Sequence, residues 1–501
     1  MELITDTHAE HIRGVLSCFD RIVIQGTLPV FCHAEGMASF LTAKGIRIFD
    51  YPKFAQSLRD AIIDTAERIA HDNNVEIEYI RQKNFRKEDR ISAIIKKRGE
   101  YPGLLHIFST LEPCTSYKPW HDKKTHRTFL KYDSGKCLHY YFYLIDEQLG
   151  LCYVRVPTWC PFRLQIYFNG HSWLAAQLRR RHVQYNLLDN AFISIDDFQK
   201  AQRISDNFDV RQLHKILNGF AQKYCPVIKD FQIDYHWSIM QAEYATDIVF
   251  TRQKYLQAIY DKLTRTAIHT VKPQNIATFL GKKFHGNYQD KMGNDFSTRI
   301  QGTRLKHTMG LTSIKMYDKF GMVLRIETTS NNISFFEHYR EVEHRDGTHD
   351  TKVAHMKKNI YSLVPLRKVL VLANHRYLEF ISAIDDKSAG IKNLNRISKD
   401  VVEKNRLYKG FNFFNENDQQ LFLSIISGEF NIRGFQNKDL RTRLLNKSTG
   451  QICRMLKRLR VHGLIKKIIH SYKYHLTSLG RKVITMGLKL KELVIIPELA
   501  V

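Results

Sequence analysis

Residues 304–329, RLKHTMGLTSIKMYDKFGMVLRIETT, alternate regularly enough to decide how the middle of the chain is read. In Ser313–Asp318, Ile314 and Met316 point one way and Lys315 and Tyr317 the other, the period of two expected of a strand. Lys319-Phe320-Gly321 has the chemistry of a turn. Met322–Thr328 then returns with Leu324 and Ile326 on the apolar side and Val323, Arg325 and Glu327 opposite. Leu305 and Met309 extend the apolar pattern into a preceding strand, whose other face holds Arg304 and Lys306. The stretch predicts a three-strand meander with one core face and one face carrying Lys306, Lys315, Tyr317, Arg325 and Glu327. That second face has two readings. It is either a solvated surface whose opposite charges pair across strands, or a working surface in which Lys306, Lys315 and Arg325 hold phosphates. In the second case Tyr317 and Glu327 are the candidate catalytic residues, one offering a hydroxyl and the other a carboxylate that orients Arg325 or binds a metal.

Charge makes the second reading worth carrying. The chain has 501 residues, with 77 Lys and Arg against 50 acids, a formal charge of +27. An excess of that size argues for a polyanionic partner, and says nothing of fold. DNA is the expected partner and RNA the alternative. An anionic membrane surface ranks below them, because no apolar run approaches the ~20 residues that span a bilayer. The start, MELITDTHAEHIRG, lacks a signal pattern, so a cytoplasmic protein is expected; a homodimer is left open. Eight cysteines are scattered with no C-x-x-C pair, which signals neither a zinc ribbon nor a disulfide framework. His8 with His11, and His121 with His126, lack the companions that would specify a metal site.

Before the meander, residues 1–112 are expected to form an α/β domain: strands at Arg21–Gln25, Ile46–Phe49, Val75–Ile80 and Leu104–Glu112, and helices at Met37–Lys44 and from Tyr51 to about His71. No glycine-rich nucleotide-binding motif occurs in its turns. Residues 113–195 are read as a basic loop followed by an antiparallel β unit. In the loop, Lys118, Trp120, Lys123, Lys124 and Arg127 interleave cations with a ring, the composition of a single-strand groove, where phosphates are neutralised and bases stacked. Its other reading is a solvated surface loop.

Residues 196–335 are expected to be a helical region with the meander. There Ser238–Phe250 is read as a helix that puts Glu243 and Asp247 at i and i+4, close enough to share a divalent cation. With Asp20 and Glu112 they are the candidate metal ligands, Mg²⁺ or Mn²⁺ being the cofactor if the protein cuts strands. Exposed or salt-bridged acids are the plainer account of all four. Residues 336–410 are expected to be a helical linker region, His338–Lys358 as loop and helix start, Leu363–Ile384 as helix.

Residues 411–494 have the clearest signature. Helices at Glu416–Ser427, from Asn437 to Leu445 and from Ser448 to Gly463 precede a hairpin, Leu464–Ile469 and Tyr472–Leu476 around His470-Ser471, and then a helix capped by Thr477. That is the order of a winged helix. Between Asn431 and Lys491 there are 16 Lys and Arg and one acid, Asp439. On the third helix Ile452, Leu456 and Leu459 form the buried stripe, which leaves Gln451, Arg454, Lys457 and Arg458 to face a groove. The fold class expected of the whole is multidomain α+β.

KMYDKFGMVLRIETT, with PWHDKKTHRTFLKYDSGKCLHYYFY, VRVPTWCPFRLQIYFNGHSWLAAQL and KYHLTSLGRK, resembles a bacterial family of about this length whose members carry the label of MarR-like regulators because of a winged helix. Tyr317-Asp318-Lys319 followed by Arg325 and Glu327 is similar to a Y-D-K and R-x-E strand pair in plasmid and phage rolling-circle replication initiators. The first resemblance implies a transcriptional regulator, the second a replication or mobile-element protein. No H-x-H accompanies the pair, so no nucleophile is transferred from the initiators. The expected function is a nucleic-acid-binding factor that reads duplex with its C-terminal domain and grips a single or distorted strand with its N-terminal body. A non-enzymatic regulator, a metal-dependent nuclease or transposase-like enzyme and a structured-RNA-binding protein are the alternatives; whether it is an enzyme stays open.

Overall fold

The computed structural model describes residues 3–82, 84–284, 292–299, 302–385, 397–468 and 471–499. The chain is mixed α+β and divides into two compact units, Met1–Leu16, Ala245–Thr329 and Lys368–Val501 forming one, Ser17–Tyr244 and Ser330–Arg367 the other. Strands Ile12–Thr27 and His236–Phe250 contribute residues to both.

In the unit built on 17–244, Ile12–Thr27 pairs antiparallel with Leu164–Asn169, setting Ile22 opposite Phe168 and Ile24 opposite Ile166. Gly150–Pro157, Arg127–Asp146 and Gly103–Asp122 follow in antiparallel order, and Ile77–Tyr79 adds a parallel edge, so the sheet is mixed. Residues 140–145, Tyr-Tyr-Phe-Tyr-Leu-Ile, are all buried, as expected of a strand covered on both faces. One face packs Tyr141, Tyr143 and Ile145 with Ile91, Leu105 and Phe108; on the other, the Phe142 ring lies 4.7 Å from that of Tyr224. Helix Tyr51–Asp72 buries Tyr51, Ala55, Leu58, Ile62, Ala66 and Ile69, a stripe at helical spacing.

In the other unit the predicted meander is present. Gly302–Met309, Thr312–Lys319 and Val323–Ser330 are successive strands, with Met292–Arg299 outside the first and His236–Phe250 beside the last. Leu305 faces Met316 and Lys306 faces Lys315 in the register the alternation implies. Phe320 and Gly321 take left-handed backbone angles, φ 59° and 70°, which lets the strands reverse tightly.

Helix Leu363–Asp385 belongs partly to this unit. Beyond it come helices Glu416–Ile425, Gly428–Arg433, Asn437–Arg441 and Thr449–Val461, a hairpin of Ile465–Lys467 with Tyr474–Leu476, and helix Ser478–Leu490. Their core joins Leu421, Phe422 and Ile425 to Ile452, Leu456 and Leu459 and to Val483 and Ile484. Asn415, Ser448 and Thr477 cap three of these helices with side-chain oxygens. Gly428–Arg433 is a helix that was not expected, and the next one, Asn437–Arg441, is preceded by Gln436 as its N-cap and stops short of Leu445.

Other expectations are corrected. His236–Phe250 is a strand, not a helix; 244–250 are buried throughout, and a run covered on both faces loses the alternation that would have marked it. Residues 114–136 are not a loop but the distal half of a hairpin between Gly103–Asp122 and Arg127–Asp146, turning at 123–126. Ile48–Asp50 is a 3₁₀ turn where a strand was expected. Glu337–Glu343 and His349–His355 pair as a polar hairpin where loop and helix were expected. Within 385–408 a short hairpin, Val401–Glu403 with Arg406–Tyr408, is formed. The rest of that linker from 386 to 396, and Ile469 and His470 of the expected C-terminal hairpin, lie outside the described residues. Among those described, no helix is long and apolar enough to cross a membrane.

Candidate functional site

The loaded face of the meander is enclosed, not solvated. Every residue of Val323–Ser330 is buried. The Arg325 guanidinium, 0% exposed, donates from Nε and an Nη to the two carboxylate oxygens of Asp247, 1% exposed, at 2.6 Å each. This is the two-pronged geometry in which arginine meets a carboxylate best. Two positions on, Glu327 accepts from the Lys315 ammonium on one oxygen at 2.6 Å and from the Tyr317 hydroxyl on the other at 2.6 Å, with Thr329 adding a longer 3.3 Å bond. Asn374, from helix Leu363–Asp385, accepts from the Thr328 hydroxyl at 2.6 Å and donates to the Ile326 carbonyl and to Thr246.

Arg325 as a phosphate clamp is therefore corrected: its charge is spent on Asp247, out of a strand's reach. Tyr317, 9% exposed, is likewise committed to Glu327. Of the cations expected on this face, Lys306 and Lys315 keep part of their surface in solvent. On the neighbouring apolar side sequence reasoning missed His307, held between Asn294 at 2.6 Å and the Tyr377 hydroxyl at 3.0 Å; burial pushes its pKa down to about 4. A lone histidine in an alternating strand carries no signal of such partners. Burial also lifts Asp318 to about 6, partly offset by the Gly321 amide it accepts.

The four candidate metal ligands are not one site. A strand advances about 3.3 Å per residue, so the i,i+4 spacing that pairs side chains on a helix does not pair them here. Asp247 is taken by Arg325. Glu112 accepts from Tyr141 at 2.6 Å and from Arg155; burial alone would raise its pKa, but these partners outweigh it and hold the carboxyl low. Asp20 and Glu243 do meet, their carboxylate oxygens lying within 4.8 Å. One Asp20 oxygen also receives His171 Nδ1 at 3.0 Å, Asn169 at 3.1 Å and Asn190 at 2.7 Å. Asn169 in turn caps helix Gly170–Arg180 through the amides of His171 and Ser172, which is what aims His171 at Asp20. The Asn-Gly-His sequence after a strand was the available signal for that cap.

The hairpin arm carries Lys118, Trp120, Lys123, Lys124 and Arg127 at its distal end, all exposed. Trp120 sits directly opposite Phe129, and these rings are 47% and 41% exposed. Lys131 lies 5.2 Å over the Trp120 ring, while Lys118 pairs with Asp133 at 3.2 Å. Lower on the arm, Tyr117 and Tyr132 anchor it through hydroxyl bonds to the carbonyls of Phe31 and Cys32.

On helix Thr449–Val461 the buried stripe is the expected one, but the outward set is not. Arg458 binds Asp418 at 2.7 and 3.0 Å and the carbonyls of Lys409 and Gly410, stacked 3.9 Å over Phe411. Lys457 pairs with Glu403, and Gln451 closes the capping box with Ser448. Only Arg454 of the four is an exposed cation without an ion pair among the described residues; Arg460, Lys466, Lys467 and Lys473, not singled out from sequence, are exposed near it in the chain.

The chain matches no family model, no curated protein and no solved structure.

Arg325→Ala strands a buried carboxylate and is expected to lower unfolding free energy by about 3 to 5 kcal/mol. A solvated cross-strand pair would cost only about 0.2 to 1 kcal/mol. Urea denaturation separates the two; a loss within the smaller range would mean that the pair is not enclosed.

Proposed function

We propose that this protein binds nucleic acid, reading duplex DNA with a winged helix formed by 411–490 and gripping a single strand with its hairpin arm. The observation that carries the reading is the absence of any acid from helix Thr449–Val461 and the hairpin that follows it, both of which expose cations. There, helix Thr449–Val461 buries its apolar stripe and presents Arg454 and Arg460, and the following hairpin presents Lys466, Lys467 and Lys473. Exposed cations on a helix and an adjoining wing neutralise phosphates on both sides of a groove. The arm supplies the second contact: exposed rings on which bases stack, with lysines beside them for the backbone.

In full-length protein, replacing Arg454, Arg460, Lys466 and Lys467 by alanine should weaken duplex binding by at least ~2 kcal/mol without moving the unfolding midpoint, since each contact is worth about 1 to 3 kcal/mol. Trp120→Ala should weaken single-strand binding by about 1 to 3 kcal/mol and leave duplex affinity alone. Fluorescence anisotropy reads both, and unchanged affinities would overturn the proposal.

Metal-dependent strand cleavage is a second reading, favoured by Asp20 and Glu243. Their carboxylate oxygens, within 4.8 Å, are close enough to share one divalent cation. The residues suit Mg²⁺ or Mn²⁺, whose ligands are oxygens, with the His171 Nδ1 bond orienting Asp20. Wild-type protein with Mn²⁺ should nick supercoiled plasmid and Glu243→Gln should not. If the wild type never nicks, the protein grips without cutting.

A further inference from the structure

We propose that a cavity among helices Pro273–Phe279, Leu363–Asp385 and Ser478–Leu490 binds a small organic anion, one carboxylate or phosphate head on an apolar body. The cavity holds about 340 Å³, within the roughly 300 to 1,000 Å³ usual for small-molecule sites. Phe279, Phe380, Leu423 and Leu488 supply its apolar wall. Five cationic side chains line it against two carboxylates, and the carboxylates are engaged: Glu379 by Arg481 at 3.5 Å, Glu492 by Lys272 at 3.5 Å. Arg376 donates from Nε and an Nη to the Phe279 carbonyl at 3.0 and 2.8 Å, which fixes the plane of its guanidinium at the wall.

Two nitrogens remain. Lys489 Nζ and Arg481 Nε are both buried with no hydrogen-bond partner among the described residues. The Lys489 stem keeps some exposure, but its ammonium is enclosed, 5.2 Å over the Phe380 ring. Burial, helped by the charge of Lys262, draws its pKa down to about 7. A cation taken out of water without a counter-charge is strongly disfavoured, so a group that persists there marks a place where an anion is expected. An enclosed ammonium is beyond the reach of a duplex backbone, which points to a free small anion. A ring face and two leucines point to an apolar body behind its head. The inference stands apart from nucleic-acid binding, since none of the cations assigned to DNA lines the cavity.

Thermal unfolding of the full chain tests it, with hexanoate and phenyl phosphate as probes and hexanamide as the neutral match. Ligand that binds only the folded state raises Tm by mass action. Either anion should therefore give a saturable rise in wild type, and hexanamide none. Lys489→Met keeps the volume and removes the unpaired charge; its own Tm should rise, and the anion-dependent shift should vanish. Calorimetric titration of wild type should show hexanoate and phenyl phosphate competing for a single site. The proposal is overturned if neither anion shifts wild type, if hexanamide shifts it equally, if Lys489→Met keeps the shift, or if the two anions do not compete.

Discussion

A guanidinium can be taken out of water only where a carboxylate meets it with matched geometry, and Arg325 and Asp247 impose that condition on the strands that carry them. Both are essentially inaccessible, and their two 2.6 Å bonds require Val323–Ser330 and His236–Phe250 to hold one register. A slip by one residue would turn each charge to the opposite face, unpaired. Glu327, two residues along, shares the same face and gathers Lys315 and Tyr317 from the next strand. The polar face of the meander is thereby an internal scaffold. Buried pairs of this kind contribute little net stability but penalise every arrangement that breaks them.

That scaffold explains how far the sequence could be read. Period-two alternation located the three strands and assigned Lys315, Tyr317, Arg325 and Glu327 to one side, because side-chain direction in a strand is a local property. It did not reveal that this side is covered. Coverage comes from Asp247, 78 residues distant from Arg325 in sequence, while Asn374, 49 residues away, closes the opposite side through Thr328, and no local pattern encodes such partners. His236–Phe250 was misread for the same reason: burial on both faces removed its alternation, and Glu243 and Asp247 then imitated a helical pair. The arm was missed because its distal half buries few side chains, Tyr117 and Leu130 among them, too few to write an alternating pattern, and Pro113, Pro119 and Gly135 interrupt it.

The C-terminal segment was the most legible, since its signals are local: Asn415, Ser448 and Thr477 caps and one apolar stripe per helix. Even there, charge alone overstated the outward face. Arg458 and Lys457 serve internal partners, Asp418 and Glu403, that lie 40 and 54 residues earlier in the chain. On helix Thr449–Val461 and the hairpin after it the cations left exposed are Arg454, Arg460, Lys466, Lys467 and Lys473, and the arm exposes Trp120 with Phe129. Lys489 shows the complementary case, an ammonium enclosed with no hydrogen-bond partner among the described residues.

The central claim is that the outward cations meet phosphates, and counterion release tests it most directly. Binding of the full chain to one duplex, measured across salt, should give a straight line of log affinity against log salt. Its slope should be near −0.9 for each phosphate neutralised, so that affinity falls by roughly a thousandfold between about 50 and 200 mM if some six contacts form. A flat line, or no duplex binding at the lowest salt, would contradict the account and leave the charge of this chain to another partner.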